Sequence, residues 1–179
     1  MNKYVALLRG INVGGNSLIK MTDLKTAFEK SGFTNVVTYI NSGNVLFVSA
    51  EKDIQKITEK LEKDLTKTFK IDLKVVVLSH QQLENVLNNI PNEWKKNHDL
   101  RCYIAFIKSP ATSEDVVKEV KLKEGVDEIK AGKNVVYMST KLSGLTQSGF
   151  TKLIGKPIYK NMTMRNLNTS QKLLTLMNK

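Results

Sequence analysis

A mixed α/β (α+β) fold in two subdomains, each a mainly antiparallel sheet covered by helices, is predicted by three observations on the sequence. Short β-branched and aromatic runs alternate with stretches of helical apolar spacing. Neighbouring runs are separated by clusters rich in Asn, Ser and Gly, the composition of hairpin loops. The order strand, helix, strand, strand, helix, strand in the first half is the split arrangement of ferredoxin-like folds, and it begins again in the second half. A chain of 179 residues with 41% apolar content has the material for such cores.

The elements follow in order. Tyr4 to Leu8 is a short apolar run closed by Arg9-Gly10, and it reads as a buried strand entering a loop that holds Gly14 and Gly15. Leu24, Ala27 and Phe28 give helical spacing, with Thr22 or Asp23 available to cap the start and Gly32 to end it. Val36 to Ile40 and Val45 to Val48 flank Asn41-Ser42-Gly43-Asn44 and predict an antiparallel hairpin. Ile54, Ile57, Leu61, Leu65 and Phe69 share one face of a long helix, and Leu73 to Leu78 reads as the strand after it. Ser79 and Gln82 have capping-box spacing for a further helix through Leu83, Val86, Leu87 and Ile90.

Pro91 to Asp99 is the most polar break, and it divides the chain into subdomains 1–91 and 99–179. Beyond it the pattern restarts with a strand from Arg101 to Lys108 and a helix from Thr112 to Val120. A hairpin of Glu128 to Ala131 and Val135 to Met138 turns at Gly132-Lys133-Asn134. Leu145 to Ile154 predicts an amphipathic helix with a basic solvent side. No closing strand is predicted, and a final helix takes its place, turning Leu167, Leu174 and Met177 or Leu173 and Leu176 inward.

The charge is one-sided. Net charge is +11 with a pI near 9.6, which favours polyanionic partners and also serves plain solubility. Residues 1–90 carry 12 basic and 9 acidic side chains, residues 91–179 carry 16 and 8, and from Ile129 onward there are nine Lys or Arg and no acid. A lone cysteine, Cys102, excludes an intramolecular disulfide and leaves no metal-ligand spacing, so neither a metal nor a cofactor is expected. Cys102 sits in an apolar strand, where an inert thiol is the commoner reading. No segment has the length of a membrane span and the N-terminus lacks a signal-peptide run, so no membrane partner and a cytoplasmic location are expected.

Three clusters carry the candidate chemistry. Arg9, Asn12, Gly14 and Gly15 lie in the first loop, where glycines let backbone amides approach a ligand and an arginine adds a donor fork, although the same glycines also serve to turn a chain. Asn41, Ser42 and Asn44 sit at a hairpin tip that requires such residues for its turn in any case. Arg165, Asn166 and Asn168 precede the last helix, whose free N–H groups suit an anion; capping accounts for the asparagines and not for the arginine. General acid or base work would fall to Asp23, His80 or His98, and the spacing selects none of them.

Four segments together resemble a known family: Ala6 to Gly15 (ALLRGINVGG), Met21 to Phe33 (MTDLKTAFEKSGF), Thr38 to Phe47 (TYINSGNVLF) and Thr163 to Leu174 (TMRNLNTSQKLL). The set resembles the bacterial domain-of-unknown-function family 1697 along nearly the whole chain. Met164 and Leu167 stand where the family has threonine and tryptophan, while Arg165, Asn166, Asn168 and Thr169 match. The resemblance implies ferredoxin-like subdivisions, no established reaction, and attention to Arg9, Asn12, Gly14, Gly15, Asn41 to Asn44, Arg165 and Asn166.

The expected function is binding of a phosphate-bearing anion, a nucleotide or nucleic acid, through Arg9 and Arg165. On this reading Arg165→Ala weakens the ligand with little loss of melting temperature. Tyr39, Phe47, Tyr137 and Tyr159 are the aromatics considered for base stacking. An enzyme acting on a small phosphorylated or carboxylated metabolite, and a module for an acidic protein partner, are the alternatives.

Overall fold

The computed structural model describes residues 1–12 and 18–179. Two compact units make up the chain, Met1–Glu84 with Lys172–Lys179 and Asn85–Gln171.

The first unit runs β1 (Asn2–Leu8), α1 (Met21–Lys30), β2 (Thr34–Tyr39), β3 (Asn44–Ser49), α2 (Ile54–Phe69) and β4 (Val75–Ser79). Its sheet has the order β2-β3-β1-β4 with every pairing antiparallel, the ferredoxin-like arrangement. Leu24, Ala27 and Phe28 of α1 and Ile57, Leu61 and Leu65 of α2 bury themselves against Tyr4, Ala6, Val45 and Phe47 of the sheet. Phe47 takes the rings of Phe28 and Phe33 edge-on at 5.5 and 4.7 Å, a geometry in which ring edge meets ring face. Asp53 caps α2 by accepting from Gln55 N at 2.9 Å, and Gly32 past α1 takes φ 88°. No side chain caps α1, which starts at Met21 after Lys20, so neither Thr22 nor Asp23 has the capping role expected of one of them. The Ser79 and Gln82 box forms as spaced, with Gln82 N donating to Ser79 Oγ at 3.2 Å and Ser79 N to Gln82 Oε1 at 2.9 Å, and it opens α3 (His80–Asn88).

The second unit contains α4 (Asn92–Lys96), β5 (Leu100–Ile107), α5 (Ser113–Glu119), β6 (Asp127–Gly132), β7 (Val135–Lys141) and β8 (Met162–Asn166), and α6 (Leu167–Met177) begins in it. Its sheet order, β6-β7-β5-β8, repeats the first one position by position. Two expectations are corrected here. A closing strand does exist: β8 pairs antiparallel with β5, setting Arg165 opposite Ile104. And the stretch expected to be one helix from Leu145 to Ile154 is a chain of 3₁₀ turns, Leu142–Gln147, Gly149–Leu153 and Pro157–Asn161, that covers the sheet with Phe150 and Leu153.

The cause is Asp127. Its Oδ2 accepts the Gly149 amide at 2.8 Å and the Lys123 amide at 2.9 Å, and its Oδ1 accepts the Thr140 hydroxyl at 2.9 Å. A helix through Leu145 to Ile154 would need the Gly149 N–H for a carbonyl one turn back, and the carboxylate takes it instead. Burial pushes the Asp127 carboxyl up, but the Lys123 amide, the Ser148 hydroxyl, the Gly149 amide and the Thr140 hydroxyl outweigh it and hold the group below its ordinary 3.8.

A lowered folded-state pKa means the carboxylate stabilises the fold fully above the unfolded value of 3.8 and loses that contribution as pH falls through the folded value. Asp127→Asn is therefore expected to cost about 2 kcal/mol at neutral pH. Urea unfolding of both proteins from pH 7 downward should show the gap narrowing once the pH drops below about 4. A gap independent of pH would contradict the assignment.

Candidate functional site

In the first unit the loop after β1 and the β2–β3 hairpin meet. Leu8 N donates to Gly43 O at 2.8 Å, and Arg9 N to Lys74 O at 2.9 Å. Asn12, at φ 55°, accepts from Ile19 N at 2.7 Å with Oδ1 and donates Nδ2 to Ile19 O at 2.9 Å and to Asn41 O at 2.8 Å. Its amide thus ties the loop to itself and to the hairpin tip, and both of its ends are spent on structure. Asn44 is fully buried and donates to Tyr39 O at 3.0 Å and Ser42 Oγ at 3.1 Å. Gly43 has φ +75°, and a Cβ there would stand 2.8 Å from Ile11 Cδ1 and 2.9 Å from Leu8 Cβ. The fold does bring Arg9, Asn12, Asn41, Ser42 and Asn44 to one end of the sheet, where the Asn12 amide and the Leu8 N–H join the two loops. Gly14 and Gly15 lie outside the described residues.

Arg165 belongs to the second unit and is only 7% exposed. Its Nη1 donates to Thr163 Oγ1 and to Met164 O, each at 2.8 Å. Burial pushes the guanidinium down to about 10, with Tyr159 acting in the opposite sense, so it stays charged at neutral pH. Asn166 is the cap of α6, its Oδ1 accepting Thr169 N at 2.8 Å. Asn168, in the first turn, is exposed.

A polar pocket of about 620 Å³ opens at this cap. Beside Asn166 and Asn168 it is lined by Lys95, Asn97, His98 and Arg101, and among the described residues no carboxylate lines it. These four lie on α4, the turn after it and the first residues of β5. The segment is anchored from beneath by Trp94, which is buried and donates Nε1 to Glu128 Oε2 at 2.7 Å. Asn97 Oδ1 accepts Asp99 N at 2.9 Å, which fixes the turn. Asn97 and Asn166 each spend the oxygen on a backbone N–H, which leaves the NH₂ as the donor of the side chain. Cys102 also lines the pocket, and burial followed by the Glu128 charge pushes its thiol up, the opposite of what a thiolate nucleophile needs. Lys95, His98 and Arg101 were not singled out as binding residues by their sequence pattern.

His80, the other histidine considered for proton transfer, lies in the first unit beside Asn178 Oδ1. Of the aromatics considered for stacking, Phe47 and Tyr137 are core residues, each 2% exposed, and Tyr137 gives its hydroxyl to Val86 O at 2.9 Å. Among the described residues no group of three or more His, Cys, Asp or Glu is placed to hold a metal ion, and no helix is long and apolar enough to cross a membrane.

Fold and pocket together define an α+β protein with the ferredoxin-like strand order twice over and a basic, acid-free pocket in the second copy. The chain belongs to the family described as protein of unknown function (DUF1697), whose model matches residues 1–137. That match includes Lys95, His98 and Arg101 and stops short of Arg165, Asn166 and Asn168. A solved structure, that of conserved bacterial protein SP0830 from Streptococcus pneumoniae, is 28% identical, covers 98% of each chain and has a TM-score of 0.85. No curated protein matches the chain.

Proposed function

We propose that the protein binds a phosphate-bearing anion in the pocket of the second unit, Lys95 and Arg101 supplying positive charge and His98, Asn97, Asn166 and Asn168 supplying hydrogen-bonding groups. The observation that carries this reading is the lining itself, basic and amide side chains around the start of an 11-residue helix with no carboxylate among them. Orphan N–H groups and the partial positive charge at a helix start favour an anion over a cation there. Uncompensated basic side chains in a concavity repel one another, and an anion relieves that repulsion. A volume of about 620 Å³ is that of a small-ligand site. Binding fits this inventory better than hydrolysis does, since general acid or base work would fall to His98 alone and Cys102 is held as the thiol.

Inorganic tripolyphosphate is expected to raise the melting temperature, as any ligand of the folded state does. Each charge-assisted hydrogen bond removed costs about 1.5–3 kcal/mol. The Lys95→Ala/Arg101→Ala double variant, both of whose residues are exposed, should keep its own melting temperature within a few degrees and bind roughly 100-fold more weakly by calorimetry. A double variant that still binds as tightly as the parent rules the pocket out.

A further inference from the structure

We infer that the pocket recognises a base-free sugar carrying two phosphates, and that a nucleobase contributes nothing to its affinity; this rests on the anion reading above. Proteins hold a nucleobase by stacking it on an exposed aromatic face or sandwiching it between apolar side chains. Two aromatic residues line the pocket, and neither stands out into solvent. Trp94 is 5% exposed with its N–H given to Glu128, and Tyr103 is half-buried and packs against the core of the second unit. Leu142, 44% exposed, is the one lining apolar side chain that stands well out into solvent, and a single side chain makes no sandwich.

What the lining does provide is charge and donors suited to a hydrophilic ligand. Lys95 and Arg101 give one cation for each of two phosphates, and the side-chain amides of Asn97 and Asn166 suit phosphate or sugar oxygens. The size argues against inorganic phosphate as the intended ligand. A volume of about 620 Å³ is the share of roughly 20 waters, far more than one phosphate displaces. A hydroxylated body between two phosphates fills that space without apolar surface.

Calorimetry on the full chain with three probes tests this: fructose 1,6-bisphosphate, adenosine 3′,5′-bisphosphate and inorganic phosphate. The first two each carry two phosphomonoesters on a furanose sugar, and only the second carries a base. The expected result is that fructose 1,6-bisphosphate binds at least as tightly as the adenosine compound, that inorganic phosphate binds about tenfold or more weaker, and that the Lys95→Ala/Arg101→Ala variant loses both bisphosphates. If the adenosine compound binds about tenfold tighter than the sugar and is still lost in the double variant, the base-free assignment falls while the anion pocket stands. If inorganic phosphate matches the bisphosphates, the two-phosphate assignment falls in the same way. If none of the three binds, or the double variant binds them unchanged, the pocket and the inference fall together.

Discussion

Gly149→Ala is expected to cost more than about 4 kcal/mol, enough to unfold many domains of this size. A Cβ at that position would stand 1.8 Å from the Lys121 carbonyl oxygen and 2.8 Å from its carbon. Both are backbone atoms, so no rotamer change relieves the contact, and one of two segments has to move. If the segment at Lys121 moves, the Lys123 N–H is drawn away from Asp127; if Gly149 moves, its own N–H leaves the same carboxylate. Either way a buried carboxylate loses a donor, and the 3₁₀ turns that cover the second sheet lose their anchor. Gly155→Ala is the matched control, because a Cβ there meets nothing within 4 Å and should change stability by no more than about 0.5 kcal/mol. Urea unfolding of the two variants checks the pair. Equal midpoints would show that the Lys121 contact yields easily, and with it the account of why this stretch is not an α-helix.

Arg165→Ala is expected to lower the melting temperature by roughly 6–12 °C, corresponding to about 3 kcal/mol. The guanidinium is buried and donates to Thr163 Oγ1 and Met164 O. Truncation removes those bonds and leaves space inside the sheet layer, each a recognised source of large destabilisation. The sequence alone suggests the opposite outcome, an affinity change with little thermal cost. Burial reverses that expectation. Arg165→Lys keeps the charge and loses the planar fork, so it should recover only part of the stability. A melting temperature within 2 °C of the parent for Arg165→Ala, read by circular dichroism, would place the side chain outside the core.

The first unit was legible because its signals are local. The period of α2 along Ile54, Ile57, Leu61, Leu65 and Phe69, the hairpin at Asn41 to Asn44 and the capping box at Ser79 and Gln82 each lie within a few turns of chain. The second unit was harder for two physical reasons. Asp127 captures the Gly149 amide from 22 residues away, and no window around Leu145 to Ile154 contains that information. Strand β8 shows no alternation, since Met162, Thr163 and Arg165 are all buried, so its Thr, Arg and Asn read as a helix cap and the strand went unseen. Asn166 is indeed the cap; the strand simply runs right up to it.

The pocket residues were half legible. Asn166 and Asn168, part of the polar cluster before α6, line the pocket, while Nη1 of Arg165 beside them donates within the strand. Lys95, His98 and Arg101 fall in or next to the Pro91 to Asp99 stretch, where a polar linker and the polar rim of a site have the same composition. One signal did separate the two. The chain's single tryptophan, Trp94, sits in that stretch, and a linker has no use for so large an apolar side chain, whereas an anchored segment does.

The central claim is where the anion sits, and backbone amide NMR during a titration with fructose 1,6-bisphosphate reads that directly. The account predicts that the largest shifts fall on Lys95 to Cys102 and on Asn166 to Asn168, saturate together, and vanish in the Lys95→Ala/Arg101→Ala variant. Shifts centred instead on Arg9, Asn12 and Asn41 to Asn44, or spread evenly over the lysines of both units, would contradict it.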